Sequence, residues 1–326
     1  MSRAIRLLFA AMLVAAPVLA RAQQGKLVLY TSQPNQDAQQ TIDAFKAKHP
    51  KIDITFVRDG TPRIIAKLRA ELEAGQAQAD VLLIADAVTM EDLKREGRLL
   101  AYPEADVAAY APGVHDRDKV WFATKLITTG IIYNVRAPFR PQSWTDLVRP
   151  ETKGQVVMPS PLASGAALIH AATLTSNLAE GWSFYEKLKA NGAVAASGNG
   201  DVLKQVAGGE KLFGMVVDFM AIREKHKGAP VAFVFPQEGV SAIGEPVAIL
   251  KSSRNPDAAR AFVAFLLSRE GQELALRQGY VPAHGEVALP AGFPGRAEIK
   301  LMAFDPAKAL ADAKDNTRRF IDIFGP

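Results

Sequence analysis

The chain has 326 residues, no cysteine, 48% hydrophobic and 22% charged residues, and a formal net charge of +5. Without cysteine it can hold no disulfide, no thiolate metal site and no lipid-bearing N-terminal cysteine. Three arginines fall within the first 22 residues, and the remaining 304 carry a net charge of only +2, so the basic balance is no argument for nucleic acid or membrane as a partner.

Arg3 and Arg6 precede an apolar run over 7–19, and Ala20-Arg21-Ala22 supplies a small-x-small cleavage pattern. The run is too short for a comfortable membrane span, so residues 1–22 read as a secretory signal peptide and the mature chain as a periplasmic protein. Residues 26–30 form an apolar run that ends at Thr31-Ser32-Gln33. A helix is predicted over 37–48, with Ile42 and Phe45 on one face and His49-Pro50 as its stop. Residues 52–57 alternate at period two; 62–74 place Ile64, Ile65, Leu68 and Leu72 at helical spacing; 80–85 read as a buried strand ending before Asp86; and 90–95 start a short helix. This rhythm predicts parallel strands with helices on both faces.

After an irregular stretch over 103–120 comes a β-rich segment, 126–133. Residues 155–170 then read as a buried strand, a loop holding Ser160, Ser164 and Gly165, and an apolar helix. A Ser/Gly turn feeding a helix start presents unpaired N–H groups and the positive end of the helix dipole, which suits an anion. A helix over 183–190 follows, then Ser197-Gly198-Asn199 before a helix over 202–207, a strand over 213–217 ending at Asp218, a basic helix over 221–227 and a strand over 230–235. Residues 236–250 match 126–133 in character. Two such passages predict two chain crossings, hence a first lobe of 23–127 plus 241–326 and a second of 128–240. The fold class expected is α/β with two lobes, each a doubly wound sheet, hinged on two crossing strands. Near the C-terminus Asn255 caps a helix with Pro256 at its first position and Phe262, Phe265 and Leu266 inward; a helix over 268–278 and a final helical region follow.

Hydrolase, zincin and P-loop signatures are absent, and the five histidines (49, 115, 170, 226 and 284) lack metal-ligand spacing. His170 lies on an apolar face, where a structural role is expected. What recurs is polar residues at the C-terminal ends of strands, where open α/β sheets bind ligands: Thr31, Ser32, Gln33, Asp86, Ser164, Gly165, Ala166 and Asp218, with Asn199 before a helix. Ordinary capping would also account for Thr31, Ser32, Asn199 and Asp86. Asp218, at the mouth of a buried strand, demands a partner.

Segments 27–32, 79–83, 129–134, 159–167, 202–210, 228–231 and 255–262, in that order, resemble periplasmic solute-binding proteins of ABC importers, in the ferric-ion-binding and 2-aminoethylphosphonate-binding branch. The resemblance implies two lobes closing on a solute, a permease and ATPase complex as partner, and neither enzymatic activity nor a cofactor; a monomer is expected. Ser164-Gly165-Ala166 matches the branch's anion loop. Where ferric-binding members carry a tyrosine pair this chain has Val217-Asp218-Phe219-Met220, and where many carry a histidine it has Gln33-Pro34. The expectation is therefore a phosphorus oxyanion held by Thr31, Ser32, Ser164 and the N–H groups of Gly165 and Ala166. Asp218, with Asp86 or Glu238, would meet an amine or hydroxyl tail. An aminoalkylphosphonate leads, a sugar phosphate is next, and ferric ion or an exported hydrolase using Asp218 are the alternatives.

Overall fold

Alternating apolar runs and amphipathic helices build the first lobe where their periods place them. The computed structural model describes residues 25–111, 113–289, 293–295 and 298–326, so the expected signal peptide lies outside the described residues. The lobe begins with β1 (Gly25–Thr31), α1 (Asn35–Lys48), β2 (Ile52–Arg58), α2 (Thr61–Glu73), β3 (Val81–Leu83), α3 (Ala87–Arg95), β4 (Leu99–Leu100) and β5 (Trp121–Ala123). β1 pairs in parallel with β2 and β3. Period-two alternation sends Leu27, Leu29 and Ile52 to one face, against Phe45 and Phe262, and Tyr30 and Leu82 to the other, against Ile64, Leu68 and Met90. Helices thus cover both faces of the sheet, as expected for strands that are apolar on both sides.

The second lobe comprises β6 (Lys125–Asn134), β7 (Val156–Pro159), α4 (Gly165–Asn177), α5 (Ser183–Ala190), β8 (Val194–Ala196), α6 (Asn199–Gly208), β9 (Phe213–Val217), α7 (Asp218–His226) and β10 (Val231–Val234). Its sheet order is β10-β6-β9-β7-β8, with β7 parallel to β8 and β9 and with β6 antiparallel to β9 and β10. β8 escaped the period-two reading because its first two residues are exposed.

β11 (Ser241–Ile243) pairs with β6 in the second sheet, and β12 (Pro246–Leu250) inserts antiparallel between β3 and β4 in the first. β6 and the β11–β12 passage are the two expected crossings; β6 runs against β9 in the second sheet and β12 against β3 in the first. α8 (Pro256–Leu267) and α9 (Arg269–Arg277) return to the first lobe, and β13 (Val281–Pro282) pairs with the start of β6.

The last helices depart from the expected first-lobe assignment of 241–326. α10 (Pro306–Ala311) packs against α3 and α4, and α11 (Ala313–Phe324) against α4 and α5. Phe320 is buried 6.3 Å from the Tyr185 ring, in the same core as Trp144, Ile299 and Met302. The chain therefore crosses a third time after β13, because the apolar face of α11 completes the second core.

Candidate functional site

Between the lobes, at the C-terminal ends of β1, β2, β7 and β9, lies a cleft of about 420 Å³. First-turn residues of five helices line it: Asn35 of α1, Thr61 and Arg63 of α2, Gly165 and Ala166 of α4, Asn199 to Asp201 of α6, and Phe219 and Met220 of α7. Helix starts leave N–H groups without intrahelical acceptors and carry partial positive charge. Ser164 caps α4 by accepting from Ala167 N–H at 3.3 Å, which leaves the N–H groups of Gly165 and Ala166 for a ligand. Asn199 donates to Ser164 Oγ at 3.1 Å and accepts from Val217 N–H at 3.2 Å, locking the starts of α4 and α6 together. The Thr61 hydroxyl is buried without a hydrogen-bond partner among the described residues.

The lobes touch across this cleft. A Cβ added to Gly165 would meet the Ala85 carbonyl oxygen at 2.7 Å and Thr61 Oγ1 at 2.8 Å, so only glycine lets the start of α4 approach the first lobe this closely. Arg58 and Arg63 bring positive charge. The Arg58 Nε–H donates to the Gln33 carbonyl at 2.9 Å, and Arg63 pairs with Asp59 at 2.6 Å. Of the two acids on the wall, Glu245 is neutralised by buried Lys125 at 2.8 Å and Asp201 accepts from Ser197 Oγ.

Of the ten residues expected to meet a ligand, Ser32, Ser164, Gly165, Ala166 and Asn199 line the cleft. Five other expected site residues do not. Thr31 is fully buried and accepts from Gln33 N–H, while the Gln33 side chain donates to Glu245 at 3.1 Å, so both stand behind the wall. Asp86 is the N-cap of α3, accepting from Val88 and Thr89, and burial pushes its carboxyl above the usual range. Glu238 accepts from Ser143 Oγ and Trp144 N–H, a cap within the second lobe.

Asp218 also turns inward. It accepts from Thr128 N–H at 3.0 Å, Thr128 Oγ1–H at 2.6 Å and Phe219 N–H at 2.7 Å, and is 1% exposed. Burial raises its pKa from 3.8 to about 6 despite these donors. A carboxyl raised in the folded state favours folding most below pH 4, and that contribution is lost as pH rises through 6. The full gap is worth on the order of 3 kcal/mol. Asp218→Asn is therefore expected to flatten the fall in stability between pH 4 and pH 6.5, measured by urea unfolding, while leaving solute affinity within about threefold, since the group does not face the cleft. A pH profile identical to that of the parent would contradict this placement.

The residues that local reasoning missed are Arg58, Gly60, Thr61, Arg63, Glu245 and Tyr280. Arg58 ends β2 and the next three follow it, so the rule that selected Thr31 and Asp86 applies to them equally. Glu245 and Tyr280 reach the cleft from distant crossings and carry no local signal. The Tyr280 hydroxyl donates to Asp37 at 2.5 Å, and burial holds its pKa well above normal. His170, with its pKa lowered to about 3 by burial, bonds Ser241 and packs on Trp144, as a structural histidine does. A larger cavity of about 550 Å³ is lined mainly by apolar side chains such as Trp121, Leu126, Ile243 and Phe304, with Glu91, Arg95 and Asp305 as its charged residues.

The profile of the family described as bacterial extracellular solute-binding protein matches residues 31–273. The periplasmic binding protein AfuA from Actinobacillus pleuropneumoniae, solved with exogenous fructose-6-phosphate bound, superposes with a TM-score of 0.85 at 26% identity, covering 93% of this chain and 99% of that one. Iron-bound HitA from Pseudomonas aeruginosa superposes with a TM-score of 0.78 at 25% identity, covering 91% and 99%. An uncharacterized protein from Haemophilus influenzae is 28% identical over 268 residues, covering 78% of this chain and 77% of its own. The chain belongs to the bacterial extracellular solute-binding protein family, with the two-lobed fold of the type II periplasmic binding proteins of ABC importers.

Proposed function

We propose that this chain captures a small organic phosphate of the sugar-phosphate class in its interlobe cleft and delivers it, as a periplasmic monomer, to the permease and ATPase of an ABC importer. The observation that carries this reading is the convergence of helix starts and of Arg58 and Arg63 on one cleft that also holds the unpartnered Thr61 hydroxyl. N–H groups at helix starts and a guanidinium are the donors a phosphoryl group accepts best. The sugar-phosphate class takes precedence over an aminoalkylphosphonate because an ammonium tail needs a carboxylate, and the cleft leaves it only Asp201, which already accepts from Ser197 Oγ. Asp86, Asp218 and Glu238 point elsewhere and Glu245 is already paired. Asn199 and Asp201 remain to meet hydroxyl groups. The fructose-6-phosphate bound to AfuA agrees with this class. A carrier role suits the wall better than hydrolysis, because among the described residues no histidine or lysine lines the cleft to activate Ser32, Ser164 or Ser197.

Thermal unfolding against fructose 6-phosphate, fructose, 2-aminoethylphosphonate and ferric citrate tests the reading. A ligand at 100 times its dissociation constant adds about 2.7 kcal/mol. A stabilising shift with fructose 6-phosphate and none with fructose is expected, and Arg58→Ala is expected to weaken that binding about tenfold, the loss of one charge-assisted bond. A shift with 2-aminoethylphosphonate alone would move the assignment to phosphonates. No shift with either phosphorus oxyanion would overturn it.

A further inference from the structure

Beside the cleft, a buried ion pair joins the two lobes. Asp37, on α1 of the first lobe, is 1% exposed. Arg223, on α7 of the second lobe, donates to it twice, Nη1 to Oδ1 at 3.0 Å and Nη2 to Oδ2 at 3.1 Å. The Tyr280 hydroxyl donates to the same carboxylate at 2.5 Å, and Gln278 Nε2 donates to the Asp37 carbonyl at 3.0 Å. Arg223 Nη2 also donates to the Gln278 carbonyl. The guanidinium lies 5.1 Å from the Phe219 ring and 5.6 Å from the Tyr280 ring, two cleft-lining rings whose centroids are 4.1 Å apart.

The partners are unevenly shared. Asp37 keeps Tyr280 and Gln278, at the end of α9 and tied to α1, however the lobes move. The acceptors of Arg223, the Asp37 carboxylate and the Gln278 carbonyl, lie across the lobe boundary, and its Nε–H has no hydrogen-bond partner among the described residues. Separating the lobes by a few ångströms removes both acceptors of Arg223 and uncovers the two rings it rests on. A planar fork engaged by two parallel bonds is geometrically selective in a way that a lysine ammonium is not.

We infer that Arg223 is an interlobe latch: its paired bonds to Asp37 form on lobe closure and set the fraction of solute-free protein that is closed. Apparent affinity then scales with that fraction, because solute bound in the closed cleft draws on the population the latch maintains. Arg223 acts as a positioning residue and touches no solute, and the inference rests on the two-lobed fold alone, independent of the solute class.

Small-angle X-ray scattering from the solute-free chain beginning at residue 23 tests it. Arg223→Met is expected to raise the radius of gyration above that of the parent, and Arg223→Lys, which keeps the charge but loses the fork, to fall between them. With fructose 6-phosphate as probe, the dissociation rate of Arg223→Met is expected to rise about tenfold, with a smaller change in association. Scattering curves for the parent and both variants that coincide would overturn the latch. Should Arg223→Met fold poorly, the Arg223→Lys comparison decides alone. A failure of fructose 6-phosphate to bind would bear on the solute class and not on the scattering result.

Discussion

Gly60→Ala is expected to weaken solute capture by about tenfold to a hundredfold while leaving both lobes folded. Gly60 precedes α2 with φ −59° and ψ 146°, a conformation open to any residue, so alanine brings no backbone strain of its own. The obstacle is across the cleft. A Cβ there would lie 2.0 Å from the carbonyl oxygen of Ala163, on the loop that leads into α4. A backbone oxygen cannot rotate away, so the clash is relieved only by moving the lobes apart. Overpacking of this kind costs about 1–3 kcal/mol, and at 1.4 kcal/mol per decade that gives the stated range. Calorimetric titration with fructose 6-phosphate measures the affinity, and urea unfolding checks that stability falls by no more than the roughly 1 kcal/mol expected of an N-cap changed to alanine. Unaltered affinity would mean that the close approach of Gly60 to Ala163 is not part of the bound state.

The second large effect concerns the hinge. Lys125 at the start of β6 and Glu245 just before β12 pair at 2.8 Å with side chains 4% and 3% exposed. Gln33 donates to the same carboxylate oxygen, and the Lys125 ammonium sits 3.9 Å above the Tyr280 ring. Both crossing passages are therefore tied together by one buried charge pair. Lys125→Met leaves Glu245 buried without a counter-charge, and removal of one member of such a pair costs about 3–5 kcal/mol. Removing both charges is far milder, so Lys125→Met with Glu245→Gln is expected to recover more than half of the loss. Urea unfolding of the two variants measures both numbers. A loss below 1 kcal/mol for the single variant would show that water reaches the pair.

Much of the frame was legible because period carries burial. The alternation over 52–57 and the spacing of Ile64, Leu68 and Leu72 gave β2 and α2 nearly to the residue, and the two β-rich passages gave the crossings. The return of α11 to the second lobe was not legible, since an amphipathic helix shows that it has a buried face but not which core receives it. The site divided along the same line. Ser164, Gly165 and Ala166 could be read because an anion loop is a local device of N–H groups at one helix start. Asp218 looked like a ligand contact because a buried acid needs partners, and the sequence did not show that Thr128, ninety residues earlier on the crossing strand, supplies them. The turn from Arg58 to Arg63 lies at the C-terminal end of β2 and obeys the strand-end rule as well as any other.

The crystal structure of the fructose 6-phosphate complex decides whether the converging helix starts hold a phosphoryl group. Phosphate oxygens are expected within hydrogen-bonding distance of Thr61 Oγ1 and the Gly165 and Ala166 N–H groups, with Arg58 in contact and Asp218 still bonded to Thr128. A sugar bound with its phosphate away from these groups, or a complex in which Asp218 has turned into the cleft to meet the ligand, would contradict that expectation.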